Sequence, residues 1–383
     1  MNGSWRELLR GIDRRLVTVA LLLSVAGVIA VSLALSFGRA AEGDPPYGLM
    51  QLRWLLVGAV VFLGAMTVPY RWLVDRAWPI YALAILSLLA VFAIGVAKNN
   101  SRRWINLGFM LAQPSELAKI AFILVLANLL RHRRATRRFR GLVMPFVLAL
   151  LPMGLIIKQP DLGTALVFVP VLFAMLVVGG ARARHLALIV AVGMAAALPV
   201  YRWGLEDYQR RRVLGFIPMS LRTLGLSEAE KKELRVEAGR TYGYQGEQAV
   251  AAIGSGGIVG KLLSDEPRVH VPEARTDFVF TVIAEELGFV GSLGLIGLQV
   301  LFLLLMGDIA IRAQEPAGRL LAVGVLALLG AQFLVNVAMT VGLAPITGLP
   351  LPFISYGGSS LLASFVAAGL AVNVGMRPGF EFA

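Results

Sequence analysis

The chain has no cysteine, three histidines and few charges, Asp, Glu, Lys and Arg together making only 15% of its 383 residues. Without cysteine, no disulfide can hold an exported loop and no thiolate chemistry is possible. His132, His185 and His270 stand far apart, so no zinc-ligand spacing exists. A soluble domain carries roughly 25% charged residues, whereas 57% of this chain is hydrophobic. That composition leaves too little polar surface for a water-facing fold and excludes the soluble enzyme classes. Acidic residues are the scarcer sign, 23 against 36 basic, for a formal net charge of +13. The basic residues are scattered between apolar runs without an interleaved aromatic platform, which argues against a nucleic-acid partner. They read instead as topology signals and as ligands for an anion.

A hydrocarbon core about 30 Å thick needs about 20 helical residues. Apolar runs of roughly that length fall at 16–37, 52–68, 77–97, 115–130, 142–157, 161–179, 186–200, 278–305, 319–343 and 355–375. The expected fold is an all-α polytopic membrane protein of about ten transmembrane helices, one integral-membrane domain over 1–383. The first run follows Arg6, Arg10, Arg14 and Arg15 like a signal peptide, but it is too long for an h-region and is expected to be retained. With both termini cytoplasmic, the short inner segments hold seventeen basic residues. The short outer ones hold six: Arg39, Arg53, Lys98, Arg102, Arg103 and Lys158. The cluster 131–140 then lies inside, near anionic lipid. The long segment 201–276 becomes one extracytoplasmic loop. Within it, 226–240 reads as a charged helix capped by Ser227 with Glu230 at the capping-box position. The stretch AIGSGGIVG (252–260) lacks the Lys-Ser/Thr ending of a phosphate loop and reads as flexible backbone near the membrane surface.

An ionisable residue in or at the rim of a span costs a few kcal/mol at the bilayer centre and marks a candidate site unless a partner explains it. Four groups qualify, and the derived topology puts all of them on the outer side. SRRWINLG (101–108) brings Arg102, Arg103 and Trp104, which an interfacial Trp with snorkelling arginines would also explain. QPSELAK (113–119) places Glu116 and Lys119 three apart on one helical face, where they can pair. KQPDLGT (158–164) sets Lys158 and Asp161 around Pro160, with Asp161 placed to cap the next helix. PEARTDFVFTVIAEELG (272–288) brings Arg275, Thr276 and Asp277, and the four-residue spacing of Asp277, Thr281 and Glu285 predicts one acidic stripe lining a cavity. The stretch 342–360, with three prolines, four glycines and Ser355, predicts a broken segment covered by protein or by a water-filled cavity.

These motifs, in this order, resemble the hallmark motifs of the SEDS (shape, elongation, division, sporulation) family: SRRWINLG with QPSELAK, then KQPDLGT, then PEARTDFVFTVIAEELGFVG, then PLPFISYGGSS. The resemblance covers about residues 16–376. Lys158-Gln159 and the Pro-Ile-Thr-Gly at 345–348 are more similar to the family's cell-elongation branch than to its division branch. What the resemblance implies is a peptidoglycan glycosyltransferase of the bacterial plasma (inner) membrane that polymerises lipid II and releases polyprenyl diphosphate. Its implied partners are a class B penicillin-binding protein transpeptidase and other elongation-complex membrane proteins. Asp277 matches the family's essential aspartate, although the family usually has His where this chain has Arg275.

Displacement at an anomeric carbon calls for a base on the acceptor hydroxyl and for positive charge on the leaving diphosphate. Asp277 is the expected base. Arg102, Arg103, Lys119, Lys158 and Arg275 are the expected cations, with Glu116 orienting Lys119 and Asp161 ordering the arginines or the acceptor. Trp104, Thr276, Glu285 and Ser355 complete the substrate-binding candidates. No metal ligand set is expected, although Mg²⁺ or Mn²⁺ could share the diphosphate charge. A lipid II flippase would also carry intramembrane charge and broken helices, but its charges should extend through the full membrane depth. A non-catalytic scaffold would leave the acidic stripe unexplained.

Overall fold

The structure, a computed structural model, describes residues 11–34, 45–98, 101–108, 110–132, 138–199 and 243–377. Within them lie helices α1 (Arg14–Leu33), α2 (Tyr47–Thr67), α3 (Tyr70–Asp75), α4 (Ala77–Ile94), α5 (Pro114–Leu130), α6 (Val143–Lys158), α7 (Leu162–Val178), α8 (Ala183–Pro199), α9 (Gly243–Ser255), α10 (Val279–Arg312), α11 (Pro316–Thr340) and α12 (Gly358–Met376). Each of the ten expected apolar runs falls on one of these helices. Seven of the helices are long and apolar enough to cross a membrane: α1, α2, α4, α6 with the turn before it, α10, α11 and α12. The protein is therefore an integral membrane protein. Helix α7 and the Ala183–Ala195 part of α8 are apolar but shorter. The predicted helix at 226–240 lies outside the described residues.

The chain folds around α5. This helix of 17 residues is buried on nearly every side, packed among α4, α6, α7, α11 and α12. A helix with so little exposed surface is where a charged pair can sit inside a membrane protein, which is why α5 can carry the buried Glu116 and Lys119.

Three expectations are corrected. The fold is not purely helical, because β1 (Val96–Lys98), β2 (Ser101–Asn106) and β3 (Leu111–Ala112) form an antiparallel sheet in that order between α4 and α5. A link between two helix ends must pair its backbone polar groups, and a sheet does so locally. Arg53, expected in a loop, lies in the second turn of α2, since that helix begins at Tyr47.

The third correction concerns AIGSGGIVG, expected to be flexible. Residues 252–255 close α9, and 256–262 pack backbone to backbone against a break in α10. At Gly288 (φ 65°, ψ −159°) α10 leaves helical geometry, and its polar groups find partners in the glycine segment. The N–H groups of Lys261 and Leu262 donate to the carbonyls of Glu285 and Glu286, each at 3.0 Å. The N–H groups of Phe289 and Val290 donate to Gly257 (2.9 Å) and Ile258 (3.1 Å). A Cβ at position 260 would lie 2.1 Å from the Glu286 carbonyl oxygen. The glycines serve close approach, not mobility.

Candidate active site

Between α11 and α12 the chain runs without helix from 341 to 357, and Leu349 and 351–355 are buried. This is the broken segment that its prolines and glycines predict. Carbonyls held at such depth need donors, and three buried side-chain amides supply them. Asn336 of α11 donates to Leu349 (2.7 Å), Gln299 of α10 to Pro352 (3.0 Å) and Gln51 of α2 to Ser355 (3.2 Å). The same Asn336 amide also donates to the Asp277 carbonyl at 2.8 Å. Ser355 adds a second tie, accepting from the Leu351 N–H (2.8 Å) and donating to the Thr276 carbonyl (2.6 Å). The backbone on both sides of the Thr276–Asp277 peptide is thereby fastened to the buried loop.

Asp277 is half-buried and precedes α10, whose N-cap is Phe278. Its carboxylate faces the turn at Gly348, where a Cβ would lie 3.3 Å from Oδ2. Gly348 has φ +72°, so a side chain there would be strained and would press on the carboxylate. One residue earlier, the Thr347 carbonyl meets α7, 2.2 Å from where Gly163 would carry a Cβ. The Pro345–Gly348 turn thus lies between the start of α7 and Asp277.

At the start of α7, Asp161 performs two tasks. Its Oδ1 accepts from the Thr164 N–H at 3.2 Å, capping the helix, and its Oδ2 lies 3.6 Å from the Arg103 guanidinium. Gln113 donates to the same Oδ2 at 3.4 Å. Arg103 also donates to the carbonyls of Gln159 (3.2 Å) and Pro160. The β1–β2 register pairs Val96 with Trp104 and Ala97 with Arg102, so Arg103 is the extra residue at an irregularity, a feature that re-aims a side chain. Ser359 joins this cluster to α12, accepting from the Gln113 N–H (3.1 Å) and donating to the Leu111 carbonyl (2.9 Å).

The expected cations separate into two kinds. Lys119 pairs with Glu116 at 2.9 Å, both buried in α5, and Arg103 is held by Asp161. Arg102 and Lys158 are exposed, and among the described residues neither makes an ion pair. Trp104 is half-buried in β2. Arg275 lies over the Tyr47 ring at 4.3 Å, and Tyr47 meets Tyr356 edge-on at 4.9 Å. The Thr276 hydroxyl donates to the Glu273 carboxylate at 3.0 Å.

The expected acidic stripe is not one feature. Asp277 lies outside α10, and Glu285 is buried against a different neighbour, accepting from the Val269 N–H (2.8 Å) and Ser255 (3.2 Å) with Lys261 at 3.7 Å. Glu286 pairs with Arg268 at 3.3 Å. These carboxylates fasten the 255–269 segment that leads into Asp277. Among the described residues no three Asp, Glu or His side chains gather into a metal site. Asn336, Gln51 and Gln299 lie outside the motifs read from sequence, and Gln113 and Ser359 lie inside them without an expected role. A lone amide inside an apolar run, such as Gln299 or Asn336, was the signal that could have found them.

The chain is similar to known proteins over nearly its whole length. The family model described as "Cell cycle protein", covering FtsW, RodA and SpoVE, matches residues 13–378. A probable peptidoglycan glycosyltransferase FtsW of Geobacter metallireducens is 34% identical, covering 98% of this chain and 99% of its own. The peptidoglycan glycosyltransferase RodA of Treponema pallidum is 32% identical over 86% and 89%. Among solved structures, a chain from work on how a peptidoglycan synthase complex coordinates polymerization and crosslinking superposes with a TM-score of 0.79 at 31% identity, covering 97% of this chain and 99% of that one. The rod shape determining protein RodA of Thermus thermophilus superposes with a TM-score of 0.70 at 30% identity, over 97% and 98%.

The buried Glu116–Lys119 pair makes a stability test. Glu116→Gln leaves Lys119 charged and without its carboxylate, which is expected to cost about 3–5 kcal/mol. Adding Lys119→Met should recover most of that loss. Thermal unfolding of the detergent-purified variants measures both, and a single variant as stable as the parent would show that the pair is not held as ions.

Proposed function

The chain belongs to the cell cycle protein family of FtsW, RodA and SpoVE, and on that premise we propose that it is a peptidoglycan glycosyltransferase that polymerises lipid II. The observation that carries this reading is the gathering of three separated motifs around one loop: Asp277 lies against Gly348, the neighbouring Thr347 lies against Gly163 of α7, and Arg103 adjoins Asp161 at the start of that helix. In this reading the acceptor sugar hydroxyl attacks the anomeric carbon of the donor. The hydroxyl proton passes to the Asp277 carboxylate as the new glycosidic bond forms, and the bond from that carbon to the diphosphate breaks. Arg102 and Lys158, exposed and without carboxylate partners among the described residues, are the cations we assign to the departing diphosphate. Arg103 and Lys119 hold the frame through their carboxylates. A divalent cation would draw most of its ligands from the diphosphate and water, since the described residues build no three-ligand site, and the mechanism includes no step through one.

The site faces the extracytoplasmic side of the plasma membrane in the ten-span topology that the basic residues favour, with both termini inside. A prenyl tail can then stay in the bilayer while the sugars react at its rim. Enzyme is favoured over transporter by where the buried charge lies. Glu116, Lys119, Asp161, Glu285 and Glu286 all belong to helix ends or to the turns just inside them, and α10 carries no charge from 287 to 307. We assign a class B penicillin-binding protein as partner, supported by the likeness to a chain from a synthase complex that joins polymerization to crosslinking. Overall identity is similar to FtsW and RodA relatives, so the elongation role rests on Lys158-Gln159 and Pro345–Gly348.

With purified protein and labelled lipid II, Asp277→Asn is expected to lower polymer formation about 10²–10⁴-fold while leaving the protein folded, with the transpeptidase added if the parent is silent alone. Equal polymer from both would remove Asp277 as base. Expression in a rod-shaped host should restore shape after RodA depletion and not division after FtsW depletion; the converse result would reassign the chain to division.

A further inference from the structure

The glycine segment packed on α10 ends in an apolar tip that the site does not use. Ile258, Val259 and Leu263 are 72%, 79% and 100% exposed, in a stretch read from sequence as part of a loop outside the membrane. Such a tip in water would be an unprotected apolar patch.

Its height relative to the bilayer follows from its hydrogen bonds. The Gly257 and Ile258 carbonyls bond to the N–H groups of Phe289 and Val290, so the tip is level with the Gly288 break. No Asp, Glu, Lys or Arg occurs between Glu286 and Asp308. The stretch Phe289–Gly307 is about 28 Å long at 1.5 Å per residue, close to the roughly 30 Å of a hydrocarbon core. Phe289, Val290 and Leu293 open this stretch and are themselves exposed. The tip therefore continues the lipid-facing surface of α10 sideways at the level where hydrocarbon begins.

The segment is also suited to the boundary of the hydrocarbon. Inside the hydrocarbon, non-helical backbone is tolerated only where protein or a water-filled cavity covers it, whereas at the acyl-chain boundary headgroup water serves the groups that have no protein partner. Here the carbonyls of 257 and 258 and the N–H groups of 260, 261 and 262 are all bonded, the last two to Glu285 and Glu286 and the N–H of 260 to Gly256. The nearby cations are neutralised: Lys261 by Glu285, Arg268 by Glu286.

We propose that residues 258–263 form a wedge inserted into the acyl-chain boundary of the bilayer, anchored to the broken helix α10 and leading through 269–276 to Asp277. The wedge sets the depth of that end of α10 and of the loop that follows it. The inference rests on the chain being an integral membrane protein and stands apart from its catalytic reading.

The absence of cysteine makes the test direct. Val259→Cys, Leu263→Cys, Leu293→Cys as a lipid-facing reference and Glu266→Cys as an aqueous reference are each labelled with a polarity-sensitive fluorophore. The full chain is then placed in phosphatidylethanolamine/phosphatidylglycerol nanodiscs. Doxyl-labelled lipid is expected to quench the labels at 259 and 263 severalfold more than that at 266, approaching 293, while aqueous iodide shows the opposite order. Iodide quenching at 259 and 263 equal to that at 266 would overturn the proposal. So would protection from both quenchers, which would mean that protein covers the tip.

Discussion

A backbone that leaves helical geometry among packed membrane helices must have its carbonyls and N–H groups bonded, and here that requirement falls on three side-chain amides. Asn336, Gln299 and Gln51 come from three different helices and meet the carbonyls of one non-helical stretch. An isolated carbonyl at that depth costs about 1–3 kcal/mol when left without a donor, so the three amides decide whether the loop has one conformation or several. Asn336 bonds the backbone carbonyls of both Leu349 and Asp277, and so ties the order of the loop to the residue proposed as the base.

Charge follows the same logic. The buried ions come in matched sets: Glu116 with Lys119, Asp161 with Arg103, Glu285 with Lys261 and Glu286 with Arg268. Buried pairs of this kind add little net stability but are costly to break, which suits frame-building more than catalysis. Arg102 and Lys158, the cations proposed for the departing diphosphate, are on exposed positions beside the frame. Separation of holding charges from acting charges lets the same few motifs support both a fold and a reaction.

The ten apolar runs matched helices because length and hydrophobicity are local properties, and the charged motifs hold buried ions in pairs because an ionisable residue in an apolar chain has few affordable places. What the sequence did not disclose is the partner of each group. The spacing of Asp277, Thr281 and Glu285 is helical, yet the helix begins after Asp277, so a periodic pattern joined two carboxylates with separate tasks. The glycines at 256–260 resemble a flexible linker until the break at Gly288, some thirty residues later, supplies the backbone they approach. Arg103 parted from Arg102 through a one-residue irregularity in strand pairing, which no spacing rule reports. The buried amides carry no charge to mark them, although an amide inside an apolar run is as informative as an ion.

In the proposed mechanism the buried loop positions Asp277 through the Asn336 bonds to the Leu349 and Asp277 carbonyls. Asn336→Leu retains the size and apolar fit of the side chain while removing both donated bonds. Its steady-state polymerisation of labelled lipid II, measured beside thermal unfolding of the same preparation, separates positioning from folding. Turnover is expected to fall at least about tenfold, equivalent to about 1.4 kcal/mol, with KM little changed and the protein still folded. Turnover equal to that of the parent in a folded variant would contradict it.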